Sequence, residues 1–386
     1  MVIQQRIRAE NLKKIYQLVN QNRSISRAAL SKETNLSKPT VSSLVDELIV
    51  NKYLIDCGNE LRVNGTENLV AVISWRRARL DIALITADNK IAFRDQIPLT
   101  EEEDKVDKIT STFFNIMKPK VGDRRIMGLC IIIPGIIDAE NKRILSTVIG
   151  VGYSDPVVQR FEEAFHDYPF CLLNDTACFA YAEYVFANIT EPNFAYINVS
   201  KGVGACLFAN GKMLRGAGSN ATQFGHFSVD RNGPLCACGN HGCVERVVGE
   251  NALTERAEAC GIDLTRFAGR KPLYCDIGAM AEDGDAHAKE LIKDLAVDLS
   301  FAISNLITLF NPSLVVIGGM GVNLGPFFLS NIRDEVQNSG FKEFVSNTWI
   351  QYSTLGLDSE LGGAARYYID HYYDFFEQMQ GGLYAD

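Results

Sequence analysis

No run of about 18 apolar residues occurs in the 386-residue chain, so no segment reads as a membrane-spanning helix. The opening Met1–Arg8 is polar and lacks the apolar core of a signal peptide, and a cytoplasmic location is expected. A disulfide framework is missing too. Seven of the ten cysteines (Cys57, Cys130, Cys171, Cys178, Cys206, Cys260 and Cys275) are scattered, mostly in apolar surroundings, as reduced thiols are. Basic charge is scarce: the net charge is −9, and the nine Lys/Arg against six Asp/Glu in residues 1–60 make a mildly basic head on an acidic body. Hydrophobic content of 47% with 22% charged residues is that of a globular protein, and the length exceeds one ordinary core, so two or three domains are expected.

The remaining three thiols are the most informative residues present. Cys236, Cys238 and Cys243 fall within eight positions, with His226 ten residues upstream of the first. Three thiolates and an imidazole complete the tetrahedral donor set that zinc prefers, leaving no open position for water, so the reading is a structural Zn2+ site. Gly239 and Gly242 lie inside the knuckle, where positive backbone dihedrals let the flanking thiols face one ion.

In the basic head, Leu12, Ile15, Tyr16, Leu18 and Val19 recur at helical spacing and predict a first helix ending near Gln21-Asn22. Ser26 is placed to cap a second helix and Ser37 a third, in which Pro39 is tolerated in the first turn and Val41, Leu44, Val45, Leu48 and Ile49 form an apolar stripe. The opposite face carries Lys38, Thr40, Ser42, Ser43 and Asp46. Small hydroxyls and a lysine near a helix N-terminus suit a major-groove floor and its phosphates, so Ser37, Lys38, Thr40, Ser42 and Ser43 are candidate DNA contacts. Two short strands, Lys52–Ile55 and Glu60–Val63, predict a wing with Arg62 as its one basic residue. Residues 26–54 resemble the winged helix-turn-helix of bacterial repressors. A protein-docking module of three helices and a hairpin is the alternative.

Beyond residue 68, strands and helices alternate. Strands are expected over Leu69–Ser74, Arg79–Thr86, Lys90–Pro98, Arg125–Ile133 and Phe170–Leu173, with a helix over 102–118. The pattern repeats with strands at Phe194–Ser200, Gly204–Ala209, Lys212–Leu214 and Leu314–Ile317 and a long helix over Ala286–Leu309. Two α/β halves with a cleft between them are the economical architecture.

The ordered set Pro134-Gly135, Asn174-Asp175, Gly202-x-Gly204, Gly225-His226, the Cys236–Glu245 knuckle and Ile317-Gly318-Gly319 resembles the ROK family of bacterial sugar repressors, open reading frames and sugar kinases. Joined to a winged helix, it resembles the repressor branch, of which xylose repressors are one kind. The resemblance implies an α/β chain with a winged helix-turn-helix (1–68) and a two-lobed, actin-like sugar-kinase body. Its lobes are expected at 69–190 and 191–386, the last helix belonging to the second lobe or returning to the first. It also implies carbohydrate contacts from Asn174, Asp175, His226 and Glu245, with His226 using one ring nitrogen for zinc and the other for ligand. Family members usually carry Glu where this chain has Gln223, so the hydroxyl bonds from that position are expected to differ in strength and direction.

Family kinases hold ATP phosphates on an Asp-x-Gly-Gly-Thr loop, but the matching stretch here, Ile73-Ser74-Trp75-Arg76-Arg77-Ala78-Arg79, has no glycine. Its three arginines attract phosphate without rebuilding a glycine turn. Asp175 matches the family's catalytic base, yet without nucleotide it only binds a hydroxyl. The expectation is therefore a repressor with no catalytic residues, binding double-stranded operator DNA as a homodimer or tetramer and a monosaccharide or sugar phosphate as effector. An ATP-dependent sugar kinase with an appended DNA-binding head is the alternative reading.

Overall fold

The computed structural model describes residues 2–139, 141–147, 149, 151, 155–216 and 221–381. The chain divides into two compact units, one of residues 1–185 with 358–386 and one of residues 186–357.

The first unit opens with the head. Helices α1 (Val2–Asn22), α2 (Arg27–Thr34) and α3 (Lys38–Val50) precede a two-stranded wing, β1 (Leu54–Asp56) and β2 (Leu61–Val63). Local chemistry sets the boundaries. The Ser26 hydroxyl accepts from the Ala29 amide at 3.2 Å and the Ser37 hydroxyl from the Thr40 amide at 3.3 Å, each satisfying a first-turn donor. Asn35 ends α2 in the left-handed region at φ 58°. Leu12, Ile15, Tyr16, Val19, Leu30, Val41, Leu44, Val45 and Leu48 are all buried together. Arg27 ties the head by ion pairs to Asp46 of α3 and Asp56 of β1.

The body of this unit is a five-stranded sheet of order β5-β4-β3-β6-β9, built from β3 (Asn68–Trp75), β4 (Arg79–Thr86), β5 (Ile91–Pro98), β6 (Arg125–Ile133) and β9 (Phe170–Asn174). β3, β4 and β5 are antiparallel neighbours; β3, β6 and β9 run parallel. Between β5 and β6 the expected single helix over 102–118 is broken. α4 (Lys105–Thr112) passes into a π turn at Phe113–Met117 and a 3-10 turn at Lys118–Lys120. Burial of both Phe113 and Met117 against the sheet, and Pro119 with no amide hydrogen, account for the change of winding. A hairpin of β7 (Gly135–Asp138) and β8 (Arg143–Thr147) and helix α5 (Val157–Ala164) precede β9, and α6 (Asp175–Phe186) follows it.

The second unit repeats this topology, with sheet order β12-β11-β10-β13-β14. β10 (Phe194–Val199), β11 (Val203–Ala209) and β12 (Lys212–Met213) are antiparallel; β13 (Leu314–Gly318) and β14 (Trp349–Tyr352) join β10 in parallel. Helices α7 (Val244–Val248), α8 (Glu250–Ala259), α9 (Tyr274–Glu282), α10 (Ala286–Phe310), α11 (Gly325–Asn338) and α12 (Lys342–Val345) complete it. The 25-residue α10 buries Leu291, Leu295, Leu299, Ile303 and Ile307 in the core of this unit.

The chain then returns. α13 (Ser359–His371) packs on β3, β4 and β6, and α14 (Phe375–Gly381) packs on α1. Gly128 permits the close approach of α13, since a Cβ there would meet the Tyr368 ring at 2.2 Å. Residues 358–386 thus belong with the first unit, whose boundary with the second lies at 185/186.

Candidate functional site

In the second unit, a 3-10 turn (Phe224–His226) delivers His226, and a loop closed by bridges between Ser228 and Cys243 and between Leu235 and His241 delivers the thiols. Gly225 lies so close to β11 that a Cβ would stand 1.8 Å from the Val203 carbonyl, which fixes the adjacent imidazole. Gly239 (φ 89°) and Gly242 (φ 59°) take the left-handed backbone expected of them, and a Cβ on Gly242 would strike the Asp230 carbonyl at 1.9 Å.

The four donor atoms all lie within 4.8 Å of one another. Cys236 Sγ is 3.6 Å from His226 Nδ1, and Cys238 Sγ is 3.6 Å from Cys243 Sγ. Bonds of about 2.3 Å to sulfur and about 2.1 Å to nitrogen around one tetrahedral ion require donor separations of about 3.6–3.8 Å, so the set fits zinc. Burial pushes the Cys243 thiol up to about 12, a cost that a dication bound to the thiolate offsets. Cys243 is also the residue preceding α7, whose first turn carries Glu245. Glu245 Oε2 accepts from the Val203 amide at 3.4 Å and lies over Gly202, where a Cβ would meet it at 2.2 Å. The donor cluster therefore orients His226 and Glu245, two of the three residues expected to meet carbohydrate in this unit. Gln223 is exposed and lines, with His226, Phe227, Asn305 and Leu309, a cavity of about 440 Å³ whose walls are mainly apolar.

In the first unit, β9 ends at Asn174 and α6 begins at Asp175. Asn174 Oδ1 accepts from the Ala177 amide at 3.0 Å, capping the helix, while its Nδ2 donates to the Gly135 carbonyl at 2.6 Å. Asp175 Oδ1 accepts from the Thr176 amide at 2.8 Å. The other carboxylate oxygen, Oδ2, faces Arg76 Nη1 at 3.9 Å.

Arg76 is a neighbour of Asp175 that the sequence did not disclose. It begins the tight link between β3 and β4, and its guanidinium turns inward. Besides Asp175 it pairs with Glu360 of α13 through a hydrogen bond from Nη2 and with Asp81 of β4 at 3.6 Å. Arg79 also pairs with Asp81, at 2.9 Å. One half-buried arginine thus sits among three carboxylates in the glycine-free link between β3 and β4. Burial raises the Glu360 carboxyl to about 7, with Arg76 opposing the shift, and it raises the Asp175 carboxyl in the same way. The arginine run was the available signal, but its partners lie far away in sequence.

On the head, Ser37, Lys38, Thr40 and Ser43 are exposed along one side of α3, and Ser42 is half-buried. Arg62 is exposed on β2 and lies 3.7 Å from Glu60, itself exposed.

Comparison with known proteins places these features together. The ROK family profile matches residues 74–370, and a winged helix-turn-helix DNA-binding profile matches residues 8–53. The xylose repressor of Bacillus subtilis (strain 168) is 24% identical over 385 residues, covering 95% of this chain and 97% of that protein. A crystal structure of a ROK family transcriptional regulator, a homologue of the Escherichia coli MLC protein, superposes with a TM-score of 0.83 at 24% identity over 97% of this chain and 98% of that one. A ROK family glucokinase from Streptomyces griseus, solved with glucose and AMPPNP, superposes with a TM-score of 0.63 at 22% identity, over 77% of this chain and 98% of that one. The kinase-like fold is therefore present, preceded by a head.

Proposed function

The chain belongs to the ROK family, and from that premise we propose that it is a DNA-binding transcriptional repressor of a sugar-utilisation operon, controlled by a carbohydrate effector and devoid of phosphoryl transfer. The observation that supports this reading is the pairing of an exposed α3 face with a glycine-free β3–β4 link whose Arg76 is engaged by carboxylates. Phosphate binding at a β-turn needs backbone amides free of side chains. Here Arg76 occupies the turn and is held by Asp81, Asp175 and Glu360. Asp175, with a cation beside it and no nucleotide for a sugar hydroxyl to attack, serves as an acceptor for that hydroxyl rather than as the base that takes its proton.

The carbohydrate contacts are Asn174, Asp175, Gln223, His226 and Glu245. Within the first unit Asp175 Oδ2 supplies an acceptor, and within the second the imidazole nitrogen left over by the metal supplies a donor or acceptor, the group types that recognition of a hydroxylated ring requires. The effector is a monosaccharide or its phosphate. Zn2+ on His226, Cys236, Cys238 and Cys243 is structural: four protein donors leave no place for substrate, and the metal's chemistry is to fix His226 and the start of α7.

DNA is contacted by Ser37, Lys38, Thr40, Ser42 and Ser43, with Arg62 from the wing, and a palindromic operator is read by a homodimer. Support for self-association comes from Val297, Phe301 and Leu309, which lie four or eight residues apart on α10 and expose 41%, 53% and 81% of their surface. Working on DNA places the protein in the cytoplasm. Incubation of the purified chain with ATP and a panel of monosaccharides tests the reading: no ADP is expected to form, and turnover would overturn the non-enzymatic assignment.

A further inference from the structure

Two helices of the first unit, α6 and α13, start beside Asp175, and α13 ends beside the DNA-binding head. α6 begins at Asp175 itself, and α13 has Glu360 in its first turn. Arg76 ties these two starts by pairing with both carboxylates. About one turn in, the helices touch backbone to backbone: a Cβ on Gly363 of α13 would stand 2.0 Å from the Cys178 carbonyl of α6. At the far end they are tied again. The Asp370 carboxylate of α13 accepts from Tyr181 of α6 at 2.7 Å and from Arg366 Nε at 2.7 Å, both inside the protein.

The second tie reaches the head directly. Gln17 Nε2 of α1 donates to the Asp370 carbonyl at 2.9 Å. Immediately beyond, the Tyr373 hydroxyl bonds that of Tyr53, the Phe375 ring packs 4.5 Å from Tyr16 and 5.0 Å from Tyr53, and the Arg125 guanidinium lies 4.6 Å over the Tyr53 ring. Tyr16 lies on α1, and Tyr53 between α3 and the wing. From Glu360 to Asp370, at 1.5 Å per residue, α13 rises about 15 Å between the two ties.

We propose that Arg76 is a positioning residue through which effector occupancy at Asp175 is passed, along the tied pair α6 and α13, to Asp370 and so to the seating of the DNA-binding head. The proposal rests on the reading of Asp175 as an effector contact. Arg76 holds Glu360 by a hydrogen bond but stands 3.9 Å from Asp175, beyond hydrogen-bond length, so a sugar hydroxyl donating to Asp175 Oδ2 weakens the Arg76–Asp175 ion pair without first breaking a hydrogen bond and leaves the guanidinium to Glu360 and Asp81. Glu360 is almost fully buried and moves with its helix. At the head end, Arg366 Nη2 and Asp370 Oδ1 are buried without a hydrogen-bond partner among the described residues. A network with unused donors and acceptors has a second arrangement close in energy, which coupling between sites requires.

Hydrogen exchange on the full chain without sugar tests this, comparing wild type with Arg76→Gln, Arg76→Lys and Tyr181→Phe. Lysine keeps the charge but has no fork with which to bridge two carboxylates, so both Arg76 variants are expected to speed exchange in residues 12–20 and 370–378 by about threefold or more. Tyr181→Phe, which removes one hydroxyl at the far tie, is expected to speed exchange near Asp175 and Glu360, because coupling is reciprocal. Changes confined to residues 73–81, 174–178 and 359–362 in the Arg76 variants, with none at Asp175 in Tyr181→Phe, would overturn the proposal. Melting shifts with D-xylose, D-glucose and N-acetyl-D-glucosamine are read separately. Their absence would count against those sugars as effectors, while the exchange result still decides the coupling.

Discussion

Replacing Cys238 by serine separates the metal's contribution from packing, because Cys238 is exposed whereas Cys243 is fully buried. An exposed substitution by itself changes stability by about 0.5 kcal/mol or less. What Cys238→Ser removes is one donor of four and with it the closure of the loop from His226 to Cys243. A cross-link over a loop of that length contributes about 3 kcal/mol by chain entropy. In a unit of residues 186–357, each kcal/mol moves the melting temperature by about 2–4 °C, so a fall of about 6–12 °C is expected. Elemental analysis of wild type should find one zinc per chain and calorimetry a transition lowered by that amount in the variant, with the first unit's transition unchanged. Retention of a full zinc equivalent by Cys238→Ser, or a melting temperature within about 2 °C of wild type, refutes the assignment of these four donors as a structural site.

Lys38 is exposed at the start of α3, and Lys38→Ala is expected to weaken binding to operator and to unrelated duplex alike and to reduce the slope of log K against log salt by about one, as loss of a single phosphate contact does; a change in sequence preference instead would make it a base contact. Glu360 carries a carboxyl raised from 4.5 to about 7 by burial, faced by Arg76, Asp175 and Cys178. The folded state then binds more protons than the unfolded one between these values, so this group's contribution to stability falls as pH rises from about 4.5 to about 7 and is level above. Thermal melts of Glu360→Gln across that window should show a flatter pH dependence than wild type, and parallel curves would contradict the assignment.

Short-range chemistry was legible in the sequence. The caps Ser26 and Ser37, the apolar stripe Val41–Leu48 and the alternation of β3 to β6 depend on neighbours within a few residues, and the structure has each of them at or within a residue or two of its expected position. The donor cluster was legible for the same reason, its ligands lying in one loop. What was not legible depends on long-range contact. The Arg76–Glu360 pair joins residues 284 apart, and its formation rests on α13 returning to the first unit. Break of the 102–118 helix follows from how Phe113 and Met117 meet the sheet, which periodicity does not contain. The β7–β8 hairpin likewise follows from the tertiary path beyond Pro134, where Gly135 takes φ 151° with the Ser146 carbonyl 2.2 Å from where its Cβ would be.

Sugar-controlled DNA binding is tested most directly by titrating the full chain onto DNA from its own upstream region, with and without a sugar that raises its melting temperature. The account predicts an affinity change of about fivefold to 150-fold, the range of ordinary coupling between two sites, with no ATP required. Equal DNA affinity with the sugar bound and absent would contradict it.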